Sequence, residues 1–101
     1  MIRHIVLWNH AQAVSDENAR RENADRVKSE LEALRGYAEG IRELRVVIDP
    51  LPSSNADVML TSLFESAEAL AAYQSHPEHK KAGAFIAENF TDRRCFDCEE
   101  D

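Results

Sequence analysis

The sequence is short of glycine, proline and cysteine: its 101 residues include three, three and two of them, respectively. The glycines Gly36, Gly40 and Gly83 are scattered singly, so there is no glycine-rich phosphate-binding loop and no nucleotide cofactor is indicated. Cys95 and Cys98 are too close in sequence for a disulfide to close a stabilising loop, and we expect reduced thiols. In a strand they would face opposite sides, which argues against a redox pair. We therefore expect no cofactor.

An excess of positive charge is also missing, since 12 Lys and Arg residues stand against 19 Asp and Glu residues, for a formal charge of −7. Nucleic acids and anionic membranes require a basic face, so neither is expected as a partner. The apolar opening Met1–Trp8 carries Arg3 and His4, is too short to cross a bilayer, and is not followed by a cleavage site. We interpret it as a strand and expect a cytoplasmic protein.

Alternation of apolar and polar residues predicts four strands. They cover Ile2–Asn9, Ile41–Ile48, Val58–Phe64 and Arg93–Glu99. Within the second strand, Leu44, Val46 and Ile48 are predicted to share one face, and Ile41 and Val47 the other. The turn-forming residues 53–55 separate the second and third strands, so we expect these two to form a hairpin.

Two helical regions separate these strands. The first is expected from about residue 16 to 37, capped by Ser15, and its apolar residues recur at helical spacing. These residues are Ala24, Val27, Leu31, Leu34 and Ala38. The second region starts after Ser66, is broken at His76 and restarts at Pro77, which suits the first turn of a helix. Its apolar positions are Leu70, Tyr73, Ala82, Phe85, Ile86 and Phe90.

The order β-α-β-β-α-β predicts an α+β, ferredoxin-like fold in one domain over residues 1–101, with both helical regions on one face of a four-stranded antiparallel sheet. The other face would expose a set of apolar side chains. They are Ile5, Leu7, Val47, Met59 and Leu63. Burying several such side chains is worth about 1.5–3 kcal/mol each, comparable to the stability of a small domain. We therefore expect an obligate homodimer that packs sheet face against sheet face.

Three polar residues could converge between the helices and the sheet. If the strand face that carries His4, Val6 and Trp8 lies under the helices, His4, Tyr73 and His79 point into one space. A neutral imidazole there accepts a proton, and a phenol beside it hydrogen-bonds a carbonyl or enolate oxygen. This pair suits proton abstraction next to a carbonyl group.

A structural role for the same side chains is the alternative. His76 then caps the helix that begins at Pro77, and Tyr73 and His4 are core residues whose polar atoms are satisfied. The sequence pattern alone favours this alternative. A metal site formed by His76, His79 and either Glu78 or His4 is also conceivable from the spacing, but Pro77 and Glu78 are ordinary helix-opening residues, and no metal is expected.

Four stretches carry a resemblance to a known family. They are Ile2-Arg3-His4-Ile5-Val6-Leu7, then Asp57 at the start of strand three, Phe64-Glu65-Ser66 through Ala69-Leu70 to Tyr73, and His76-Pro77-Glu78-His79. Together they resemble the stress-responsive dimeric α/β-barrel (Dabb) family over nearly the whole chain, and the last stretch is the most specific. The resemblance implies ferredoxin-like subunits whose sheets face one another in a dimeric barrel.

The family resemblance also implies functional roles. Many members are stress-associated proteins without an assigned activity, whereas some plant members are cofactor-independent polyketide cyclases that use a histidine and a tyrosine in a cavity between helices and sheet. By this resemblance His79 would be the general base, Tyr73 its hydrogen-bonding partner and His4 a polar cavity residue. Val6, Trp8 and His76 complete the expected substrate-binding set.

Some residues depart from the family pattern. Helix one has small or polar side chains where a long hydrophobic substrate would need aromatic ones. Trp8 fills space that such a substrate would need. In the last strand, Cys98 follows Asp97 in place of an aromatic residue. The helix-one residues are Ala19, Asn23, Ala24 and Val27. We therefore expect a catalyst of a small carbonyl or polyketide-like compound. The alternatives are a non-catalytic, stress-associated or ligand-binding homodimer and a cofactor-free monooxygenase.

Overall fold

Four strands and three α-helices make up the fold in the computed structural model, which describes residues 1–101. The elements are β1 (Ile2–His10), α1 (Glu17–Ala33), a 3₁₀ turn (Leu34–Gly36), β2 (Ile41–Val47), β3 (Val58–Phe64), α2 (Ala67–Ser75), α3 (Pro77–Asn89) and β4 (Phe90–Glu99). All neighbouring strands are antiparallel, and their order in the sheet is β2-β3-β1-β4. The predicted α+β, ferredoxin-like fold is confirmed, as are the β2–β3 hairpin and the break at His76. No helix has both the length and the hydropathy that a membrane crossing requires.

The core lies between the helices and one face of the sheet. It is built from alternate residues of the strands and from one stripe of each helix, as the two side-chain periods require. The sheet contributes Val6, Trp8, Leu44, Val46, Val58, Leu60 and Phe64, and the helices contribute Ala24, Val27, Leu31, Leu70, Tyr73, Ala82 and Ile86. His4 and Ser62 are the buried polar residues of this layer. The Ser62 hydroxyl donates to the carbonyl of His4, the residue opposite it in the β1–β3 ladder, so its burial is compensated.

No helix covers the opposite face of the sheet, which we call the open face. Ile5, Leu7, Met59 and Leu63 are half-buried there, and Phe96 on β4 is 64% exposed. Cross-strand pairing places Ile5 opposite Phe96 on β4 and Leu7 opposite Met59 on β3, so apolar groups adjoin one another across three strands. The predicted exposure of this apolar set on one face is confirmed.

The ends of α1 differ from the prediction. Asp16, rather than Ser15, is the N-cap, and its carboxylate accepts a hydrogen bond of 2.9 Å from the Ala19 N–H. The helix ends at Ala33 instead of continuing to residue 37, because the backbone tightens into a 3₁₀ turn in which the Tyr37 N–H donates to the Leu34 carbonyl. Ala38 therefore lies outside the helix.

Two strand predictions are also wrong. The fourth strand begins at Phe90 rather than Arg93, because α3 ends at Asn89 and the extended Phe90 pairs with His10. Ile41 packs against the core instead of lying on the open face. The reason is a shift of one residue in the β2–β3 pairing between Ile41 and Glu43, which reverses the face on which Ile41 lies.

The outer edge of β2 is covered by two side chains of α1. Lys28 donates a hydrogen bond of 2.7 Å to the Val46 carbonyl, and Glu32 accepts one of 3.0 Å from the Val46 N–H. The two side chains also pair with each other at 2.9 Å. Burial alone would raise the pKa of Glu32, but the hydrogen bonds from Val46 and Lys28 outweigh it and lower that pKa. This edge of the sheet is therefore satisfied from within the chain.

Candidate active site

A cavity of about 280 Å³ lies between the helices and the sheet. Every strand except β2 and every α-helix contributes to its wall. The lining residues are His4, Val6, Trp8, Leu31, Leu60, Tyr73, His79, Gly83, Ile86, Ala87, Phe90, Thr91 and Arg93. The wall is thus mostly apolar with a few polar groups, which is the usual character of a small-molecule site.

Tyr73 lies near the end of α2 and has no exposed surface. Its hydroxyl has no hydrogen-bond partner in the chain. The ring lies against Phe64 on one side, with centroids 5.1 Å apart, and meets His79 edge-on at 4.6 Å. Burial raises the pKa of Tyr73, so the hydroxyl stays protonated and available as a donor.

His79 meets Tyr73 because the helix is broken between them. On one continuous helix, residues six apart would point about 120° away from each other. Here α2 ends at Ser75, and a new helix starts at Pro77, with His76 in the extended conformation as its N-cap. The break brings the two rings into contact and places His79 in the first turn of α3.

The neutral form of His79 is favoured by its surroundings. Burial lowers its pKa below the ordinary value of 6.5, and electrostatic interactions with the nearby His4, Arg93 and His76 lower it further. A neutral imidazole with a free ring nitrogen is able to accept a proton near neutral pH. The geometry therefore joins a proton acceptor to a neutral hydroxyl donor inside an apolar cavity.

His4 belongs to the same cavity but has a partner of its own. It is 2% exposed, and its Nδ1 lies 2.5 Å from Oδ1 of Asp97, the residue directly opposite it in the β1–β4 ladder. A carboxylate only accepts hydrogen bonds, so His4 Nδ1 is the donor. Cys95 Sγ is 3.7 Å from both atoms. Sequence reasoning missed Asp97 and Cys95 because the register between β1 and β4 determines which residues face His4.

The ligand atoms of His4, Cys95 and Asp97 all lie within 4.8 Å of one another. The His4–Asp97 hydrogen bond already pairs two of the three groups, so it accounts for their proximity. The set considered from the sequence, His76 and His79 with Glu78, is not brought together in this way. His76 Nδ1 accepts a hydrogen bond of 3.1 Å from the Glu78 N–H and so is not free to bind a metal.

His76 does not line the cavity, so the structure does not bring it together with the rest of the expected substrate-binding set. Its ring packs against Tyr37, with centroids 5.4 Å apart, and its Nδ1 caps α3. The structural role considered for it accounts for its position. The structure does bring together the other five predicted residues. They are His4, Val6, Trp8, Tyr73 and His79.

Two further features of the cavity wall were not apparent from sequence. The indole N–H of Trp8 is buried and has no partner, although the residue is only 5% exposed. Gly83 on α3 leaves open space, since a Cβ at this position would meet no atom within 4 Å. The chain thus leaves two buried donors, those of Tyr73 and Trp8, on residues of one small cavity.

Comparison with known proteins identifies the family and the fold. The family model of the stress responsive A/B barrel domain, Dabb, matches residues 2–100. A dimeric protein of unknown function with a ferredoxin-like fold from Bacteroides fragilis is 29% identical, with a TM-score of 0.89 over 98% of this chain and 95% of that one. A dimeric ferredoxin-like protein of unknown function from Thermobifida fusca is 26% identical, with a TM-score of 0.79 over 96% and 88% of the two chains.

A more distant structure shares the fold alone. The hydroxynitrile lyase from Passiflora edulis is 15% identical, with a TM-score of 0.76 over 96% of this chain and 90% of that one. A search of curated proteins finds no match to the sequence. Because the family model spans all but the two terminal residues, the chain belongs to the stress responsive A/B barrel (Dabb) family.

Proposed function

We propose that the protein is a cofactor-independent acid–base catalyst that acts on a small carbonyl compound. The observation that carries the proposal is the unpaired hydroxyl of Tyr73, fully buried in the cavity beside His79. Leaving a buried donor without a partner costs about 1–3 kcal/mol. A carbonyl oxygen bound in the cavity would accept that hydrogen bond and remove the cost.

The proposed chemistry assigns one task to each residue. Neutral His79 takes a proton from the carbon next to the carbonyl, and the electron pair of the C–H bond moves into the carbonyl group to form an enolate. The enolate oxygen carries more negative charge than the carbonyl oxygen, so the hydrogen bond from Tyr73 strengthens as the transition state is reached. The enolate carbon then regains the proton from His79, or it attacks a second carbonyl carbon, whose oxygen takes up the proton from His79, as in an aldol addition.

The size of the cavity limits the substrate. Its volume of about 280 Å³ is just below the usual range for small-molecule sites, about 300–1,000 Å³. Trp8 and Leu31 occupy part of the space that a long chain would need. A compact carbonyl compound therefore suits the site better than a long polyketide. The hydroxynitrile lyase from Passiflora edulis is an example of an enzyme with this fold.

We also propose that the active form is a homodimer joined through the open face. The relatives from Bacteroides fragilis and Thermobifida fusca are described as dimeric. The contiguous apolar groups of the open face, with Phe96 at 64% exposure, favour contact with an equivalent face. Two such faces would pack about 10 Å apart.

Proton exchange provides a direct test of the catalytic proposal. Small aldehydes and ketones, pyruvate included, are incubated with the protein in D₂O, and loss of the α-proton signal is followed by NMR. We expect exchange to be accelerated by the wild type and to fall about 100-fold or more in His79→Ala, since general base catalysis is worth about 10²–10⁴-fold. Tyr73→Phe should also slow exchange, because it removes the donor to the enolate oxygen.

Matched variants control for general effects. His10→Gln replaces a histidine that does not line the cavity, and Tyr37→Phe removes the hydroxyl of a tyrosine that is 59% exposed. Both should exchange protons at the wild-type rate. Equal activity of His79→Ala and wild type would end the catalytic proposal.

The unpaired donors of Tyr73 and Trp8 also suit a second candidate, a non-catalytic ligand-binding dimer. In that case a carbonyl compound binds with no proton exchange, and His79→Ala changes thermal stability rather than a rate. Oxygen uptake with a quinol tests cofactor-free monooxygenation, the remaining alternative, which no residue of the cavity specifically favours.

A further inference from the structure

Arg93 is the one Lys or Arg side chain among the residues that line the cavity. It takes part in no salt bridge, as is also true of Arg20, Arg35, Arg45 and Arg94, and the residue is partly open to solvent. Its charge is close enough to His79 to lower the pKa of that ring. The cavity wall is mostly apolar, and the chain as a whole has a net charge of −7. The guanidinium group therefore makes this wall locally positive, against the sign of the net charge.

Trp8 is the neighbour of Arg93 across the strand ladder. The pairing of β1 with β4 shifts by one residue between Leu7 and Asn9, so that Asp92 and Arg93 together stand opposite Trp8. Trp8 and Arg93 both line the cavity. The buried indole N–H without a partner and the guanidinium without a counter-ion therefore belong to adjacent side chains.

A β-bulge allows Phe90 and Arg93 to face the cavity together. By regular alternation, Arg93 lies on the face of Cys95 and Asp97. Phe90 and Arg93 are three residues apart and would face opposite sides of a regular strand, yet both line the cavity. The extra residue in β4 removes this conflict. Asp92 lies in the left-handed region, with φ of 55°, which is the backbone conformation that such a bulge requires. The strand thus keeps Phe90 in the core and still presents Arg93 to the ligand space.

We propose that Trp8 and Arg93 form an anion subsite, and that the substrate is a small oxo acid whose carboxylate binds there while its keto oxygen binds Tyr73. The assignment of the keto oxygen rests on the function proposed above. A carboxylate accepts hydrogen bonds from both a guanidinium and an indole N–H, and it would supply a partner for the buried indole N–H and a counter-ion for Arg93. Asp97, the acidic residue opposite His4, is hydrogen-bonded to that histidine and forms no salt bridge with Arg93.

The single tryptophan makes the subsite directly observable. In ¹⁵N-labelled protein, the indole N–H of Trp8 gives the only cross-peak of its kind. The protein is titrated with benzoylformate, an oxo acid, and with benzoylformamide, its neutral amide. We expect benzoylformate to bind about tenfold more tightly, the size of one charge-assisted hydrogen bond, and to shift the indole cross-peak.

Variants locate the effect. Arg93→Gln should bring the affinities for the acid and the amide to within about twofold of each other, because the charge-assisted hydrogen bond is lost. Trp8→Phe removes the indole signal, so its titration is followed by the backbone amide cross-peaks of α3. This variant should lose more affinity for the acid than for the amide. Arg35→Gln is the matched control, since it removes the same charge from an exposed residue outside the cavity, and it should keep the tenfold preference.

Three results would overturn the inference. They are equal affinity of the wild type for the two compounds, a preference for the acid that survives in Arg93→Gln, and an indole cross-peak that neither compound moves. Equal affinity leaves the proposed acid–base function standing, because the carbonyl group still binds. Conversely, unchanged proton exchange in His79→Ala with an intact preference for the acid would remove the catalytic role and keep the anion subsite.

Discussion

Asp97 faces His4 directly across the β1–β4 ladder, and the two side chains are joined by a hydrogen bond at the base of the cavity. The partnership is unequal in exposure: His4 is 2% exposed, whereas the side chain of Asp97 is 46% exposed. A half-exposed carboxylate therefore satisfies a fully buried imidazole and fixes which of its nitrogens carries the proton.

We predict that Asp97→Ala lowers the free energy of unfolding by about 1–3 kcal/mol, because His4 Nδ1 would be left buried without a partner. Urea unfolding followed by circular dichroism measures the change. Glu99→Ala is the matched control on the same strand, since Glu99 is exposed, and it should stay within about 0.5 kcal/mol of wild type. If both variants lose the same stability, the hydrogen bond is not the cause.

The pH dependence of proton exchange follows from the direction of the pKa shifts. Because burial and nearby positive charges lower the pKa of His79 below 6.5, the neutral base persists at neutral pH and is lost only as the pH falls below that value. Burial raises the pKa of Tyr73, so the rate should not decline on the alkaline side before about pH 10. The rate constant measured across this range should show one acidic inflection below 6.5.

Arg93→Gln should move that inflection to higher pH, because the charge of Arg93 is one of the causes that lower the pKa of His79. Arg35→Gln should leave it in place, since Arg35 is not among those causes. An inflection above 6.5 in the wild type would contradict the assignment of His79 as the base.

The left-handed backbone at Asp92 gives a prediction about stability. Asp92→Val should lower the free energy of unfolding by about 1–2 kcal/mol or more, since a β-branched residue is strained at φ of 55°. Asp92→Gly should keep or slightly raise the free energy of unfolding, because glycine adopts this conformation freely. The variant loses the hydrogen bond from Asn9 to Asp92, but that bond is long, 3.3 Å, and lies at the surface. Chemical denaturation measures both. A well-tolerated valine would mean that the bulge is absent in solution.

Phe96 tests the open face as a dimer interface. Phe96→Asp would place a charge among Ile5 and its apolar neighbours, and we expect the dissociation constant of the dimer to rise about 100-fold or more, from lost burial and an unpaired charge. Sedimentation velocity over a range of concentrations measures the equilibrium. Tyr37→Asp, at another exposed aromatic residue away from the sheet, should not alter it. A monomeric wild type would contradict the proposal outright.

Gly83 gives control over the size of the cavity. Gly83→Ala should raise the free energy of unfolding by about 0.5–1 kcal/mol, because alanine is the better residue inside a helix and its Cβ meets no atom within 4 Å. The same methyl group projects at the cavity wall, so the affinity for benzoylformate should fall. Gly36→Ala, where a Cβ also has open space, should not change the affinity. Thermal unfolding and the NMR titration separate the two effects.

The strands and helices could be predicted because their signals are local. Each of these signals lies within one element. They are the alternation in β1 and in β3, the proline at the start of α3, and the helical spacing of apolar residues around Leu31 in α1 and around Tyr73 in α2. The proximity of the Tyr73 and His79 rings was also predictable, since the break in the helical region before Pro77 is visible in the sequence. The errors at Ser15 and Phe90 are errors of one to three residues at element ends, where neighbouring residues offer similar caps and conformations.

The rest of the site could not be predicted, because it depends on pairing between distant segments. His4 meets Asp97 only through the register of β1 with β4, and Phe90 shares the cavity face with Arg93 only because Asp92 adds a residue to the ladder. The same kind of shift placed Ile41 in the core against its alternation. A bulge reverses the face of every residue beyond it, and neither bulge is marked by a glycine that would signal it.

The pair of α1 side chains that occupies both backbone groups of Val46 has a consequence for behaviour at high concentration. A bare sheet margin acts as a template on which an extended segment from another molecule can dock, and successive docking leads to fibres. Lys28 and Glu32 already hold the donor and the acceptor that such a segment would need at this position. The sheet margin is thereby protected at Val46 against docking of a second molecule, and this protection persists for as long as the first helix stays in place.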